Sequence, residues 1–376
     1  MRKVLLLGGG LQGLSFGESM FDKRKEYSLS VISNDYSVSK SRFFDRFFEK
    51  KEREDGEILA DIFSREQYDI IVPMSDGAVK FLSRNKNRIE AGYSVKCAVP
   101  DYGAVSIVSD KGHFMRFCEE NGIPHPRTMA VTEDTLEKAA GYVGFPSLIK
   151  PDFSVGARGI TKVNSLSELQ SHFPAINRKY GSCTLQEFID NPDYYYNVMI
   201  YRDSLGRCDT YAIIKIVRMF PVGAGSSTCC ISVENGELLS ICKDALEKLD
   251  WHGMADFDVL QRKDTLEYRI IEINPRVPAS MRAAYVSGID FPETIILDTL
   301  GEHCKSGHYM PGKTLRFLGT DLLWFLKSPR RFKTSPSWFR FIGKDIYYQD
   351  IFKKDPSTWY SWFISGLKKN MRNNHN

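Results

Sequence analysis

A chain of 376 residues is long enough for two or three domains, and 42% hydrophobic residues supply their cores. No apolar run reaches the roughly 18–20 residues that cross a bilayer, and the short apolar start Val4–Leu7 runs into glycines instead of a cleavage site, so neither a membrane span nor a secretory leader is expected. The net charge of +4 is uneven: Arg316 to the end carries 12 Lys/Arg against 4 Asp/Glu, or +8, which leaves −4 for everything before it.

The first hundred residues alternate strand and helix. Strands are expected at Lys3–Leu7, Ser28–Ser33, Tyr68–Pro73 and Ser94–Val99, and helices at Leu14–Phe21, Ile58–Ser64 and Gly77–Asn87. That order predicts a parallel, Rossmann-like sheet covered by helices. Gly8–Gly13 fits G-x-G-x-x-G after a strand, and Asp35 lies 22 residues further on, where a dinucleotide's ribose would be held. Tight strand-to-helix turns need glycine with or without a ligand. Nothing downstream suits hydride transfer, so the fingerprint is expected to be structural. The eight cysteines include no C-x-x-C pair, which suits a reduced, cytoplasmic setting.

Ser109-Asp110-Lys111 precedes a helix over Phe114–Asn121. Farther on, Lys150 ends a short strand, and Pro151 holds the chain extended there. Ser154–Ile160 follows, with Gly156 and Gly159, a loop of small residues whose backbone N–H groups suit phosphate oxygens. It is not a P-loop, whose G-x-x-x-x-G-K-[ST] pattern the chain lacks. Thr184–Ile189 reads as another strand, entering a turn at Asp190–Asp193.

The most informative stretch is Arg269–Arg276. Glu272 and Asn274 are two apart, so on a strand they share a face. Ala255–Leu260 alternates in the same way, and the polar segment Gln261–Glu267 makes the two runs a hairpin. A turn centred near Asp264–Thr265 sets Asp258 opposite Glu272 and Asp256 near Asn274. Two carboxylates about 4 Å apart repel by ~4 kcal/mol at an effective dielectric of 20. A hard divalent cation offsets that, and Mg²⁺ takes one or two carboxylates plus phosphate oxygens. Arg276 adds a planar fork for phosphate.

In order and spacing these motifs resemble the ATP-grasp superfamily, in particular its carboxylate–amine and carbamoyl-phosphate-synthase-like ligases, over about Met1 to Pro311. The resemblance implies an α/β and α+β protein: a Rossmann-like N-terminal domain (1–108), a two-lobed ATP-grasp domain (109–312, small lobe about 125–188), and an aromatic, basic C-terminal appendage (313–376). It implies ATP bound by Lys111, Lys150, Ser154, Gly156, Gly159, Gln186, Glu187, Phe188 and Ile189, with Glu187 at the adenine amine. It implies Mg²⁺, or Mn²⁺ in its place, held by Asp258, Glu272 and Asn274. Arg276 and Lys215 are implied as the catalytic cations. The family's ribose acid falls at Tyr194 here, so Asp193 is the substitute.

The implied reaction activates a carboxylate as an acyl phosphate and joins it to an amine, releasing ADP and phosphate. The alternatives are a bicarbonate-phosphorylating enzyme of the carbamoyl-phosphate-synthase or carboxylase type, and a nucleotide-binding regulatory protein without turnover. Small carboxylate and amine substrates and a homodimer are the expected partners, and nucleic acid is not. Four of the five tryptophans lie beyond Leu315 among basic residues. That composition suits either a helical appendage packed on the body or a peripheral membrane or anionic partner.

Overall fold

The computed structural model describes residues 1–152, 159–223 and 225–358. Five strands form the N-terminal sheet: β1 (Arg2–Leu7), β2 (Tyr27–Ser33), β3 (Arg46–Glu49), β4 (Ile70–Pro73) and β5 (Lys96–Cys97). Their order is β3-β2-β1-β4-β5 and every pairing is parallel. The central strands β1 and β4 are buried apolar runs at Val4–Leu7 and Ile70–Pro73, as a sheet covered on both faces requires. β3 and the helix Tyr102–Ser109 have no counterpart among the sequence expectations, and β5 is shorter than expected.

Two glycines of the fingerprint, Gly8 and Gly10, have φ of +96° and +134°, where a side chain is strained, and between them a Cβ on Gly9 would lie 2.9 Å from Ser33 Oγ. Asp35 accepts from the backbone of Ser37 at 2.8 Å and so caps the helix Tyr36–Ser39.

Next come β6 (Thr128–Val131), β7 (Ser147–Pro151), β8 (Thr161–Val163) and β9 (Cys183–Glu187). They form an antiparallel sheet ordered β6-β9-β7-β8. Its core is its own: Val131, Ile149, Val163, Leu169, Phe173 and Leu185 cluster apart from the rest. By contrast, Leu5, Ile71 and Leu82 of the N-terminal unit share one core with Val198, Phe257 and Ile273 of the third sheet.

That third sheet has seven strands: β10 (Tyr195–Arg202), β11 (Thr210–Phe220), β12 (Ser226–Ser232), β13 (Gly253–Gln261), β14 (Tyr268–Asn274), β15 (Thr314–Arg316) and β16 (Ile346–Tyr348). The order is β14-β13-β10-β11-β12-β15-β16. Residues 313–358 are therefore not an appendage. They complete the sheet, with β15 antiparallel to β12 and parallel to β16. Strands of three residues give no readable alternation, which is why this part looked like a separate tail. Trp359, Trp362, Lys368 and Lys369 lie outside the described residues.

Candidate active site

β13 and β14 pair in the register expected from their alternation, Asp256 opposite Asn274 and Asp258 opposite Glu272. A register shift follows at once, Val259 pairing with Ile270, so Ile271 is an extra residue that bends β14 beside the acids. Asn197 on β10 lies opposite Asp258 on its other side and donates its amide to Oδ1.

The charges around this hairpin are tightly interdependent. Desolvation and the neighbouring Glu272 and Asp256 carboxylates push Asp258 well above the usual range. Desolvation would raise Glu272 too, but the hydrogen bond with Asp258, together with Lys111, Lys150 and Arg276, holds it below its ordinary value. The two carboxylates are thus driven apart, Asp258 upward and Glu272 downward. Asp256 is buried and pushed up to about 7 by desolvation, with Glu272 and Asp76 adding to the effect and Arg276 opposing it. Its Oδ1 has no hydrogen-bond partner.

Two lysines reach the hairpin from other elements. Lys111 opens the helix Lys111–Glu120, whose N-cap Asp110 accepts from the His113 backbone at 2.8 Å. Lys150, near the end of β7, donates to Gln186 Oε1 at 2.5 Å, and Gln186 passes the chain on to Thr128 at 2.9 Å. Desolvation and the nearby Lys111 bring the Lys150 ammonium down to about 8, although Glu272 pulls it the other way. Arg276, just past β14, donates to Asn274 Oδ1 at 3.3 Å and bridges to Asp76 of the N-terminal unit at 3.1 Å.

Gly159 is sterically required: with φ of +77°, a Cβ there would lie 2.7 Å from Tyr180 and 2.9 Å from Pro151. Ser154 and Gly156 lie outside the described residues. Glu187 ends β9 with its carboxylate held by Arg262 at 2.5 Å and Arg127 at 3.4 Å. The Phe188 backbone N–H donates to Pro146 at 3.1 Å, the Lys162 ammonium sits 3.6 Å over the Phe188 ring, and Ile189 is buried. Asp193 is exposed and paired with Arg330.

Lys215 does not join the cluster. It pairs with Tyr196, one residue out of phase with Asn197, so its side chain leaves the opposite face of the sheet from Asp258 and Glu272. There its ammonium lies 3.5 Å over the Tyr194 ring. The run Ile213–Val217 is apolar apart from this lysine, so the sequence gives no cue to the face.

Sequence reasoning placed Asp256 but gave it no role, and it missed Asn197 and Asp76. For Asp76, 200 residues from Arg276 in the chain, no local signal exists. A cavity of about 400 Å³ also escaped notice. It opens beside Arg276 between the N-terminal unit and the large sheet, with Lys86, Glu90, Lys96, His252 and Asp298 on its wall.

The site offers carboxylate and amide oxygens facing two lysines and an arginine. Among the described residues no group of three or more His, Cys, Asp or Glu is arranged to hold a metal ion unaided. Two adjacent carboxylates and an amide, beside an orphaned buried oxygen, do fit Mg²⁺, which completes its shell with phosphate and water.

The ATP-grasp domain profile matches residues 108–280. The chain carries an ATP-grasp domain. Among curated proteins, this one is similar to D-aspartate ligase of Enterococcus faecium, 23% identical over 61% of this chain and 58% of the relative. It is also similar to the formate-dependent phosphoribosylglycinamide formyltransferase of Ignicoccus hospitalis, at 25% over 88% and 89%. The chain spans 58%, 21% and 43% of the first three curated relatives it matches. Among solved structures, N5-carboxyaminoimidazole synthetase of Staphylococcus aureus superposes with a TM-score of 0.68 at 17% identity, over 86% of this chain and 84% of that one. Such a likeness speaks to the fold: an N-terminal parallel sheet followed by an ATP-grasp domain.

Proposed function

We propose that this chain is an ATP-dependent ligase that phosphorylates a carboxylate and joins the resulting acyl group to an amine. The observation that carries this reading is the convergence of Lys111, Lys150 and Arg276 on the Glu272 carboxylate of the Asp258–Glu272 pair. Cations that face a paired acid across a cleft fit a triphosphate with a bound divalent ion. They offer no side-chain nucleophile.

In this reading the nucleotide lies between the small sheet and the large one. Lys150, aligned by Gln186, contacts the α- and β-phosphates, with Lys111 beside it. Because both arginines already hold the Glu187 carboxylate, we set the purine against the backbone at Phe188–Ile189. With Asp193 engaged by Arg330, the ribose contact has no assigned residue. Asp258, Glu272 and Asn274 would hold Mg²⁺, which when bound draws charge from the β- and γ-phosphate oxygens.

Arg276 sits at the junction of this cleft and the 400 Å³ cavity. There it steadies the equatorial oxygens of the phosphoryl group as the substrate carboxylate attacks, and then the acyl phosphate while the amine displaces phosphate. Asp76 fixes the guanidinium's orientation. The amine loses a proton as the C–N bond forms, and the buried, pushed-up Asp256 next to Arg276 is the group suited to receive it. The charged wall of the cavity suits small, ionised acid and amine substrates. Separation of the small sheet's core from the shared core supports closure of that lobe, which would keep water from the acyl phosphate.

ADP release over a panel of acids, bicarbonate included, with and without amines tests the proposal. ADP formation that depends on both a non-bicarbonate acid and an amine is the expected result. ADP formation with bicarbonate alone would move the reading to the carboxylase class. Tight nucleotide binding without turnover on any pair would move it to a regulatory protein.

A further inference from the structure

Six of the sixteen large apolar side chains exposed among the described residues fall within 322–342. Leu322, Leu323 and Leu326 lie on the helix Leu318–Lys327, and Phe332, Phe339 and Ile342 on the segment leading to β16. Ile342 is 93% exposed and Phe332 71%. Phe332 and Phe339 gather on Phe325 of the helix, and Ile342 follows Phe339 by three residues. Phe325 packs edge-on against Phe332 and Phe339 at 5.7 Å each, and those two rings stack 6.3 Å apart. Leu322 is three residues before Phe325 and four before Leu326, so the helix continues the same apolar strip.

The surface rests on a fixed base. Trp338 Nε1 donates to the Asp321 carbonyl at 3.1 Å, and the Arg316 guanidinium lies 4.4 Å over Phe341. Below, Arg218 and Arg316 are both buried against the Asp321 carboxylate. Exposure here is thus not the looseness of a frayed tail.

Charge identifies the occupant. Between Leu322 and Lys344 the chain has Lys327, Arg330, Arg331, Lys333, Arg340 and Lys344, and no acid at all. A second copy of this face would set six cations against six. Residues 359–376 carry Lys368, Lys369 and Arg372 and again no acid, so they too are a poor electrostatic match for the patch. Projecting apolar tips ringed by long cationic side chains match an interface with apolar depth beneath a layer of phosphate. We propose that this face docks on the anionic surface of a lipid bilayer. Arg330, at its edge, pairs with Asp193 in the loop after β9. Docking therefore sets the proposed nucleotide cleft close to the membrane plane.

The full chain is sedimented with vesicles of phosphatidylcholine alone and of phosphatidylcholine mixed with phosphatidylglycerol. Binding is expected to the mixed vesicles only, weakening as salt rises. Ile342→Asp and Phe332→Asp, at positions too exposed to disturb folding, should each weaken it at least about tenfold. Lys333→Glu and Lys344→Glu should each cost about fivefold or more, with unchanged melting temperatures. The proposal is overturned by absent binding to mixed vesicles, or by binding that survives Ile342→Asp. It is equally overturned if Trp362→Asp alone abolishes binding, which would assign the activity to the terminal segment. Binding of nucleic acid or an acidic protein without lipid binding has the same consequence.

Discussion

Two groups of buried charge sit in the same seven-stranded sheet and are built on opposite plans. At the β11–β12–β15 end, Asp321 accepts from Arg218 at 2.7 and 3.0 Å, from Arg316 at 2.9 Å and from Thr228 at 3.2 Å. Each arginine also turns its Nη1 to a backbone carbonyl, of Pro336 and of Arg340, both at 2.9 Å. At the β13–β14 end, Asp258 faces Glu272 across the hairpin, Asp256 lies two residues along the strand, and an Asp256 oxygen has no hydrogen-bond partner. Charges that satisfy one another hold the chain together. Charges that remain unbalanced within the fold are the ones the proposed function assigns to a ligand.

The sharpest way to break this contrast is to remove Asp321. Asp321→Ala strands two buried guanidinium groups, so the protein should lose about 3–5 kcal/mol of stability, read from urea unfolding. A loss under 1 kcal/mol would show that the arginines were never dependent on it. At the other end Glu272→Gln should leave the melting temperature unchanged or higher while lowering kcat/KM by at least about 100-fold. Wild-type turnover in that variant would remove the metal assignment.

Lys150→Met sharpens the contrast further. ADP affinity with Mg²⁺ should fall tenfold to hundredfold, the worth of a charge-assisted hydrogen bond. Because this ammonium sits near 8 without ligand, phosphate should restore its proton. Calorimetry in buffers of different ionisation enthalpy at about pH 8.5 should then show proton uptake, absent from the variant. Equal affinity in both proteins would dismiss Lys150 as a phosphate ligand.

A smaller effect follows from Asp256. Folded, it keeps its proton up to about pH 7; unfolded, it releases it near 3.8. Unfolding therefore releases a proton across that window, and this residue's contribution falls as pH rises from about 4 to 7 and is level above. Asp256→Asn should gain on wild type across the window in thermal melts. A constant difference would mean that Asp256 titrates normally. The least effect belongs to the exposed pair Arg330–Asp193, where Arg330→Ala should change stability by no more than about 1 kcal/mol.

The legible part of the site was the part governed by strand alternation. Ala255–Leu260 and Arg269–Asn274 each have a polar and an apolar face, so register followed from the turn between them, although the extra residue at Ile271 did not. Lys215 failed for the complementary reason, since isoleucine and valine on both faces hide which way a lysine points. Lys150 and Lys111 were found through a strand end and a helix start. Their meeting at Glu272, like that of Asp76 with Arg276, is a product of packing between units and has no local trace. The short strands β15 and β16 were invisible, and with them the tie between the basic C-terminal segment and the sheet.

That tie has a consequence for how the chain is made. Synthesis runs from Met1 at roughly 5–20 residues per second, and Asp321 comes 103 residues after Arg218. For about 5–20 s, then, a nascent β11 carries an arginine whose acid has not been translated, and the outer edge of β12 waits for β15. The strands bearing the proposed catalytic acids are all complete by Asn274, yet their sheet cannot close until β16 has been made, 74 residues later at Tyr348. A message cut short after the last catalytic codon would therefore yield an open-edged, aggregation-prone product and not a slightly smaller enzyme.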